Sequence, residues 1–432
     1  MDNDWKEEQE PEKEEHEEAS YSFLKETFKD EQNKPRRIVG GLFRTAVKGL
    51  VFGVVACVAF AVCKPWAEST FLKKQEKVTI PGDESSEGDE EMTVTEDSDQ
   101  EQVQEGQKKF TVDNYREMQK SLTDVATEAG KCVVTVEIAG DNTTLESQEE
   151  NPDSVSGIII WKNWLEILVA APARILENEG DLTITFCDHR AYTATLKKED
   201  KNSQIAILSV STSSLKDSTK NKITEAILGN SNLMSKGMPV ITLGNQFGYA
   251  EGSGYGIISS TGNYISSADR QYRLLTTDIT AAENGSSILF NVDGEVIGIA
   301  DQMVTGKDSK NLVTGYAISE IKEIIELLSN GNGVPYLGIW GIEVTEEISE
   351  NQGIPRGIYV KEIEADSPAM DVGIQSGDVI VKMGGKDIQT LYEYQSQLSK
   401  YKTGEEIKLT VQRMGAEEYV EVPFKVTVGN KE

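Results

Sequence analysis

Histidine is almost missing from this chain: there are two in 432 residues, His16 and His189. Chemistry that needs an imidazole as general base or metal ligand has little to work with. Cysteine is scarce too, at four, and no pair has the C-x-x-C spacing, so neither a disulfide scaffold nor a zinc or redox site is indicated. Basic charge is in deficit. The 43 Lys and Arg against 73 Asp and Glu leave a net charge of −30, which repels phosphate backbones and argues against nucleic-acid binding. No motif points to a metal or organic cofactor. The length is about three times the ~150-residue expectation for one domain, so two or three folded units are expected.

The acidic excess is concentrated. Residues 1–33 hold thirteen acidic and four basic side chains, and residues 75–107 hold twelve and one. Dense like charge with few apolar residues cannot offset chain entropy, so 1–33 reads as a disordered acidic tail and 65–109 as a disordered acidic linker. Between them lies the apolar run Gly49 to Cys63, short for a span of ~20 residues but adequate when Val39 to Val47 is added and Arg44 and Lys48 snorkel. Residues 38–64 are therefore expected to form a single transmembrane helix. Lys34, Arg36, Arg37, Arg44 and Lys48 precede it, whereas Lys64, Lys73 and Lys74 follow, which puts the N-terminus in the cytoplasm and the rest outside. The acidic lead and the want of a clear small-x-small site after the run argue against a cleaved signal peptide.

From Phe110 onward the composition is that of a globular protein. Tyr115, Met118, Leu122 and Val125 have helical spacing within Val112 to Glu128. Short β-rich runs follow: Cys132–Glu137, Val155–Trp161, Leu165–Ala171, Asp181–Cys187, Tyr192–Leu196 and Ile205–Val210, then Pro239–Leu243, Tyr255–Ser259, Tyr272–Thr277, Ser287–Phe290, Glu295–Ala300 and Leu312–Ala317. Six and six strands predict two antiparallel β-barrels or sandwiches. A helix bearing Ile321, Ile324, Ile325 and Leu328 closes this region at Gly331-Asn332-Gly333. Residues 334–432 then form a separate α+β unit, with strands at Gly357–Val360, Ile407–Arg413 and Tyr419–Val426 and a helix from about Thr390 to Tyr401.

This last unit opens on Tyr336-Leu337-Gly338-Ile339 and contains Gly373-Ile374-Gln375-Ser376-Gly377-Asp378-Val379-Ile380. It resembles the PDZ domain appended to the HtrA/Deg (high-temperature-requirement) serine proteases. The resemblance implies that Tyr336, Leu337, Gly338 and Ile339 form a peptide-binding loop whose backbone N–H groups take a terminal carboxylate. Residues 110–330 resemble the same family's trypsin-like domain through Gly244-Asn245-Gln246-Phe247-Gly248, Gly256-Ile257-Ile258-Ser259 and Asn291-Val292-Asp293-Gly294-Glu295-Val296-Ile297-Gly298-Ile299. The implied fold class is mainly β: a trypsin-like double antiparallel β-barrel followed by a PDZ domain, with one N-terminal transmembrane helix.

The positions matching the family's catalytic triad depart from it. In Ile167-Leu168-Val169-Ala170-Ala171-Pro172-Ala173, Pro172 stands where the resemblance puts the general base. In Asp200-Lys201-Asn202-Ser203-Gln204-Ile205, Gln204 takes the place of the orienting aspartate, and in Glu283-Asn284-Gly285-Ser286-Ser287, Gly285 takes that of the nucleophile. Glu283 replaces a glycine near the oxyanion hole. A serine hydroxyl needs a positioned base, and that base needs an orienting partner, so no triad can be assembled. A one-residue slip leaves Ser286 as the residual nucleophile candidate. His16 lies in the tail, His189 falls in a hairpin turn, and Cys132 and Cys187 sit in strand patterns typical of core residues.

The expected protein is a membrane-anchored HtrA-like pseudo-protease that binds extended or C-terminal peptides of unfolded proteins outside the cytoplasm. Two alternatives stay open: an active endopeptidase using Ser286, and a structural or regulatory partner of other envelope proteins. By resemblance it assembles as a homo-oligomer, a trimer. No cofactor is expected.

Overall fold

A computed structural model describes residues 77–83, 110–138, 154–177, 180–248, 251–306, 309 and 311–431. The expected acidic tail, the anchor at 38–64 and most of the linker lie outside these residues. No helix among the described residues is long and apolar enough to cross a membrane.

Helix α1 (Val112–Ala129) starts at a capping box. The Thr111 hydroxyl accepts from the Asn114 N–H (3.3 Å), while the Asn114 side chain accepts from the Thr111 N–H (3.0 Å). Its Leu122, Val125, Ala126 and Ala129 pack into the larger core. The chain then builds an antiparallel sheet of seven strands: β1 (Val133–Ile138), β2 (Ser154–Lys162), β3 (Glu166–Pro172), β4 (Leu182–Thr185), β5 (Ala191–Thr193), β6 (Thr195–Asp200) and β7 (Ile205–Ser211), ordered β5-β4-β1-β2-β3-β7-β6. Seven replace the expected six because Tyr192–Leu196 is broken at Ala194. Its N–H turns back to the Leu182 carbonyl (2.8 Å), and the chain passes from β4 to β7 as partner.

β2 and β3 are apolar on both faces because both faces are covered. Val155, Ile159, Val169 and Ala171 pack within the sheet's own core, whereas Ile158, Leu168 and Ala170 face a second core shared with the next barrel.

That barrel is closed. Its strands are β8 (Pro239–Asn245), β9 (Gly252–Ser267), β10 (Arg270–Thr280), β11 (Ser286–Phe290), β12 (Val296–Asp301) and β13 (Leu312–Ala317), ordered β10-β13-β12-β11-β8-β9. Of the two expected barrels, it is the one whose described pairings close. The expected strands at 255–259 and 272–277 are the middle of a much longer hairpin, β9–β10, joined by the two-residue turn Ala268-Asp269. Helix α2 (Ile318–Ser329) buries Ile318, Ile321, Ile324, Ile325 and Leu328 against the shared core.

Part of the expected disordered linker is corrected by the structure. Residues 77–83 run along α2, with Val78 in the core at 3% exposure. The Val78 N–H donates to Asn330 Oδ1 (3.1 Å), Asn330 Nδ2 donates to the Val78 carbonyl (2.9 Å), and the Ile80 N–H donates to Glu326 Oε2 (3.1 Å). Lys322 pairs with Asp83 at 2.6 Å. Two apolar side chains, Val78 and Ile80, anchor a strap inside an otherwise acidic stretch.

The C-terminal unit has strands β14 (Ile339–Val344), β15 (Gly357–Ile363), β16 (Val379–Met383), β17 (Lys386–Asp387), β18 (Glu406–Met414) and β19 (Tyr419–Thr427). Their order is β14-β15-β16-β18-β19, with β17 on β16, so β14 is an edge. Helix α3 (Leu391–Leu398) starts at a Thr390/Glu393 capping box and buries Tyr394 and Leu398. It ends three residues before the predicted Tyr401. Buried Asp378 holds Arg413 through two contacts of 2.7 Å and accepts the Gln375 N–H (2.9 Å), which ties the Gly377-Asp378 turn to β18.

Replacing Asn330 with Ala strands both Val78 backbone groups. Denaturant unfolding of Asn330→Ala is expected to show a loss of about 1–3 kcal/mol, the cost of leaving buried polar groups unpaired.

Candidate functional site

Pro172 ends β3 opposite Ile205 of β7, and the Ala173 N–H donates to the Gln204 carbonyl (2.8 Å). The structure therefore sets Pro172 and Gln204 side by side at the mouth of the first sheet. Gln204 adopts a left-handed backbone (φ 58°), and its amide turns away to the Lys201 carbonyl (2.7 Å). Gly285 sits in the turn before β11. Its N–H donates to the Ala282 carbonyl (3.0 Å), and its carbonyl accepts from the Gln302 N–H (2.9 Å). A Cβ at 285 would run into the backbone oxygens of Gln246 and Ala282, so no side chain fits there without moving main chain. Ser286 is buried at 1% exposure and looks toward the first sheet. Its Oγ accepts the Ser156 N–H (2.7 Å), and Ser156 Oγ in turn donates to the Ser286 carbonyl (3.0 Å) and accepts the Asn245 N–H (2.8 Å).

Beside these positions runs a contact that sequence reasoning missed. Arg174 follows β3, and its Nε lies 3.0 and 2.9 Å from the two carboxylate oxygens of Asp301, the last residue of β12. Its terminal nitrogen donates to the carbonyls of Asn284 (2.8 Å) and Ser154 (3.3 Å). Both members of the pair are buried. Burial pushes the Asp301 carboxyl above its ordinary value, and the adjacent guanidinium is the largest opposing influence. The available signal was a single charge in each of two apolar runs, Ala171-Pro172-Ala173-Arg174-Ile175 and Ile297-Gly298-Ile299-Ala300-Asp301.

The second site is the loop before β14. The N–H groups of Leu337 and Gly338 both donate to Asp269 Oδ2 at 2.7 Å, and the Ile339 N–H donates to Asp269 Oδ1 (3.1 Å). The Tyr394 hydroxyl of α3 also donates to Oδ1 (2.6 Å), and the Asp269 N–H donates to the Ile339 carbonyl (2.7 Å). Three consecutive N–H groups thus converge on one carboxylate. Gly338 makes this possible with a left-handed φ of 88°, and a Cβ there would collide with Ser367. Burial pushes the Asp269 carboxyl up, while these donors pull it down. Tyr336 stands apart from the other three loop residues. Its backbone pairs with Gly429 (3.1 and 2.9 Å) and its hydroxyl donates to Glu364, which also binds Lys431 (2.6 Å).

Comparison with known proteins agrees with this architecture. Residues 155–299 match the trypsin-like peptidase domain family, and 335–424 match the PDZ domain family. The serine protease Do-like HtrB of Bacillus subtilis (strain 168) is 31% identical over 281 residues, covering 60% of this chain and 59% of that protein. The periplasmic pH-dependent serine endoprotease DegQ of Escherichia coli (strain K12) is 26% identical over 284 residues, covering 64% and 60%. This chain combines a trypsin-like peptidase domain with a PDZ domain, and its relatives include HtrA/Deg serine proteases. It spans less than two thirds of the length of those relatives. An HtrA-type protease AlgW with tripeptide shares the fold at a TM-score of 0.52 and 20% identity, over 72% of this chain and 97% of that one.

The histidine and cysteines read from the sequence as turn and core residues lie apart from these positions. His189, left-handed in its turn (φ 57°), pairs with Glu251 (2.6 Å), and both side chains are largely exposed. Cys132 donates to the Ala129 carbonyl (3.0 Å), and burial pushes its thiol up to about 12. Cys187 is half-buried, and both thiols are free. Among the described residues, no three His, Cys, Asp or Glu are grouped to hold a metal.

Removing one partner of a buried ion pair leaves the other uncompensated in the interior. Asp301→Asn is expected to lower unfolding free energy by about 3–5 kcal/mol in urea titration, and the double change Arg174→Met with Asp301→Leu to cost much less.

Proposed function

We propose that this chain is a membrane-anchored HtrA-like pseudo-protease that binds extended or C-terminal peptides through its PDZ domain outside the cytoplasm, serving envelope protein quality control or its regulation. The observation that carries the binding half is the cradle at Leu337, Gly338 and Ile339, whose three N–H groups are gathered on a carboxylate, the group a peptide C-terminus presents. The strand that follows, β14, is the edge of its sheet, and its Glu343 accepts the N–H of Leu391 at the start of α3 (3.2 Å). An extended peptide can pair with such an edge through its backbone.

The inactive half is supported by the three triad-equivalent positions. Proline offers no proton acceptor, Gln204 has committed its amide to Lys201, and Gly285 has neither a hydroxyl nor space for one. Ser286 is an acceptor for a backbone N–H in a buried seam, with Ser156 as its hydrogen-bonding neighbour in place of a base. The basic cluster ahead of residues 38–64 supports anchorage with the folded domains outside. Assembly into a homo-oligomer is part of the same reading, by analogy with the family.

Fluorophosphonate labelling and casein digestion by the full chain in detergent are expected to give no signal, unchanged in Ser286→Ala. Labelling that disappears in Ser286→Ala would establish the active-protease alternative instead. Gly285→Ser is expected to restore no hydrolysis and to lower the unfolding midpoint, because its Cβ meets backbone.

A further inference from the structure

We infer that Asp269 is a built-in pseudo-ligand of the PDZ domain, so that the barrel hairpin and the C-terminus of an incoming peptide compete for one cradle. This rests on reading the PDZ unit as a carboxylate binder, and it adds how that site is regulated. Asp269 satisfies the loop as a peptide terminus would. Its carboxylate takes the N–H groups of Leu337, Gly338 and Ile339, and its own N–H donates to the Ile339 carbonyl, the first rung of a strand laid against β14. The imitation stops after that rung. The chain reverses at Ala268-Asp269 and returns into β10, leaving the rest of the β14 edge to another strand.

The two occupants exclude one another. Asp269 is 3% exposed, and a second carboxylate in the same cradle would face an unscreened like charge and find its donors already engaged. The hairpin is also shaped for this contact. β9 and β10 reach beyond the barrel, and Asp269 holds a left-handed φ of 62°, which aspartate tolerates better than most residues. Asn202 fixes the turn by donating to the Ala268 carbonyl (2.6 Å). Asn202 belongs to the 200–204 loop that also carries Gln204, and the neighbouring Lys201 N–H donates to the Lys431 carbonyl at the far end of the PDZ unit (2.9 Å). A peptide that displaces Asp269 therefore loosens the PDZ unit from both the hairpin and the loop beside the degenerate triad.

The test uses the full chain in detergent and a pool of fluorescein-labelled decapeptides ending in Val, Leu or Phe, each with a free or an amidated C-terminus. Anisotropy measures binding, and hydrogen exchange follows the amides of Leu337, Gly338 and Ile339. Asp269→Asn is expected to bind the free-acid peptides at least tenfold more tightly than wild type, since a self-occupied site lowers apparent affinity by its competent fraction. Asn202→Ala, which weakens the turn without touching the cradle, is expected to fall between them, and the amidated peptides to gain nothing. The three amides should exchange slowly in wild type and at least tenfold faster in Asp269→Asn. Equal peptide affinity in wild type and Asp269→Asn, or fast exchange of these amides in wild type, overturns the proposal. If no peptide binds either protein while exchange still accelerates in Asp269→Asn, self-occupancy stands and the C-terminal-peptide reading falls.

Discussion

A carboxylate taken out of water at a boundary between two units must find its donors on the far side, and two such carboxylates hold this protein's parts in register. Asp301 of the closed barrel meets Arg174 of the first sheet, and Asp269 of the same barrel meets Leu337, Gly338, Ile339 and Tyr394 of the PDZ unit. Apolar packing between the sheets is broad but non-directional; Ile158, Leu168 and Ile288 would tolerate a small slide. A two-point contact from Arg174 to Asp301, or three N–H groups on Asp269, would not.

Pro172, Gln204 and Gly285 lie beside the junction that Arg174 makes with the closed barrel. A trypsin-like cleft needs space between the barrels for a scissile bond, a hydroxyl and an imidazole. Here Arg174 spans that boundary to reach Asp301 and the Asn284 carbonyl, and Ser156 spans it to reach Ser286. The turn at Ala282 to Gly285 is drawn tight enough that a Cβ at 285 would meet two backbone oxygens. These features support one another: once no side chain is needed at 285, the turn can close on Gln246, and the polar groups so approached are satisfied within the seam. The surface near Pro172, Gln204 and Gly285 is thereby a hydrogen-bonded junction between the first sheet and the closed barrel.

Much of this was legible from the residues alone. The β-rich runs Cys132–Glu137 and Ile205–Val210, the four-residue spacing of Ile321 and Ile325, and the glycine-bearing signatures at 336–339 and 373–380 are local signals, and local signals survive in a single sequence. What escaped was long-range or averaged away. The Arg174–Asp301 pair joins residues 127 apart, and the Asp269 contacts reach across about 70. The outer part of β9, Ser260 to Ser267, is mostly polar and at most partly buried, with Ile265 packed on the core, so the pattern that marks a half-buried strand is faint there. The strap at 77–83 was hidden by its neighbours: the acidic composition of 75–107 masks Val78 and Ile80, two side chains that suffice to seat it along α2.

Of the expected peptide-binding residues, Tyr336 is the one whose side chain serves another purpose, and the difference bears on how binding could be transmitted. Leu337, Gly338 and Ile339 present N–H groups to Asp269, whereas Tyr336 joins Glu364 and Lys431, from two other segments, in a polar cluster. Lys431 is also the point where the chain's far end touches the 200–204 loop, its carbonyl accepting the Lys201 N–H. The cradle, the Tyr336 cluster and the 200–204 loop are thus linked by short steps of hydrogen bonding, of which the Tyr336–Glu364 and Glu364–Lys431 steps are between side chains. On the proposed competition for the cradle, such a chain would convey whether it holds Asp269 or another carboxylate only if docking is a two-state choice, the hairpin turn occupying the loop or leaving it and the Lys201–Lys431 contact following the same placement of the PDZ unit against the barrel.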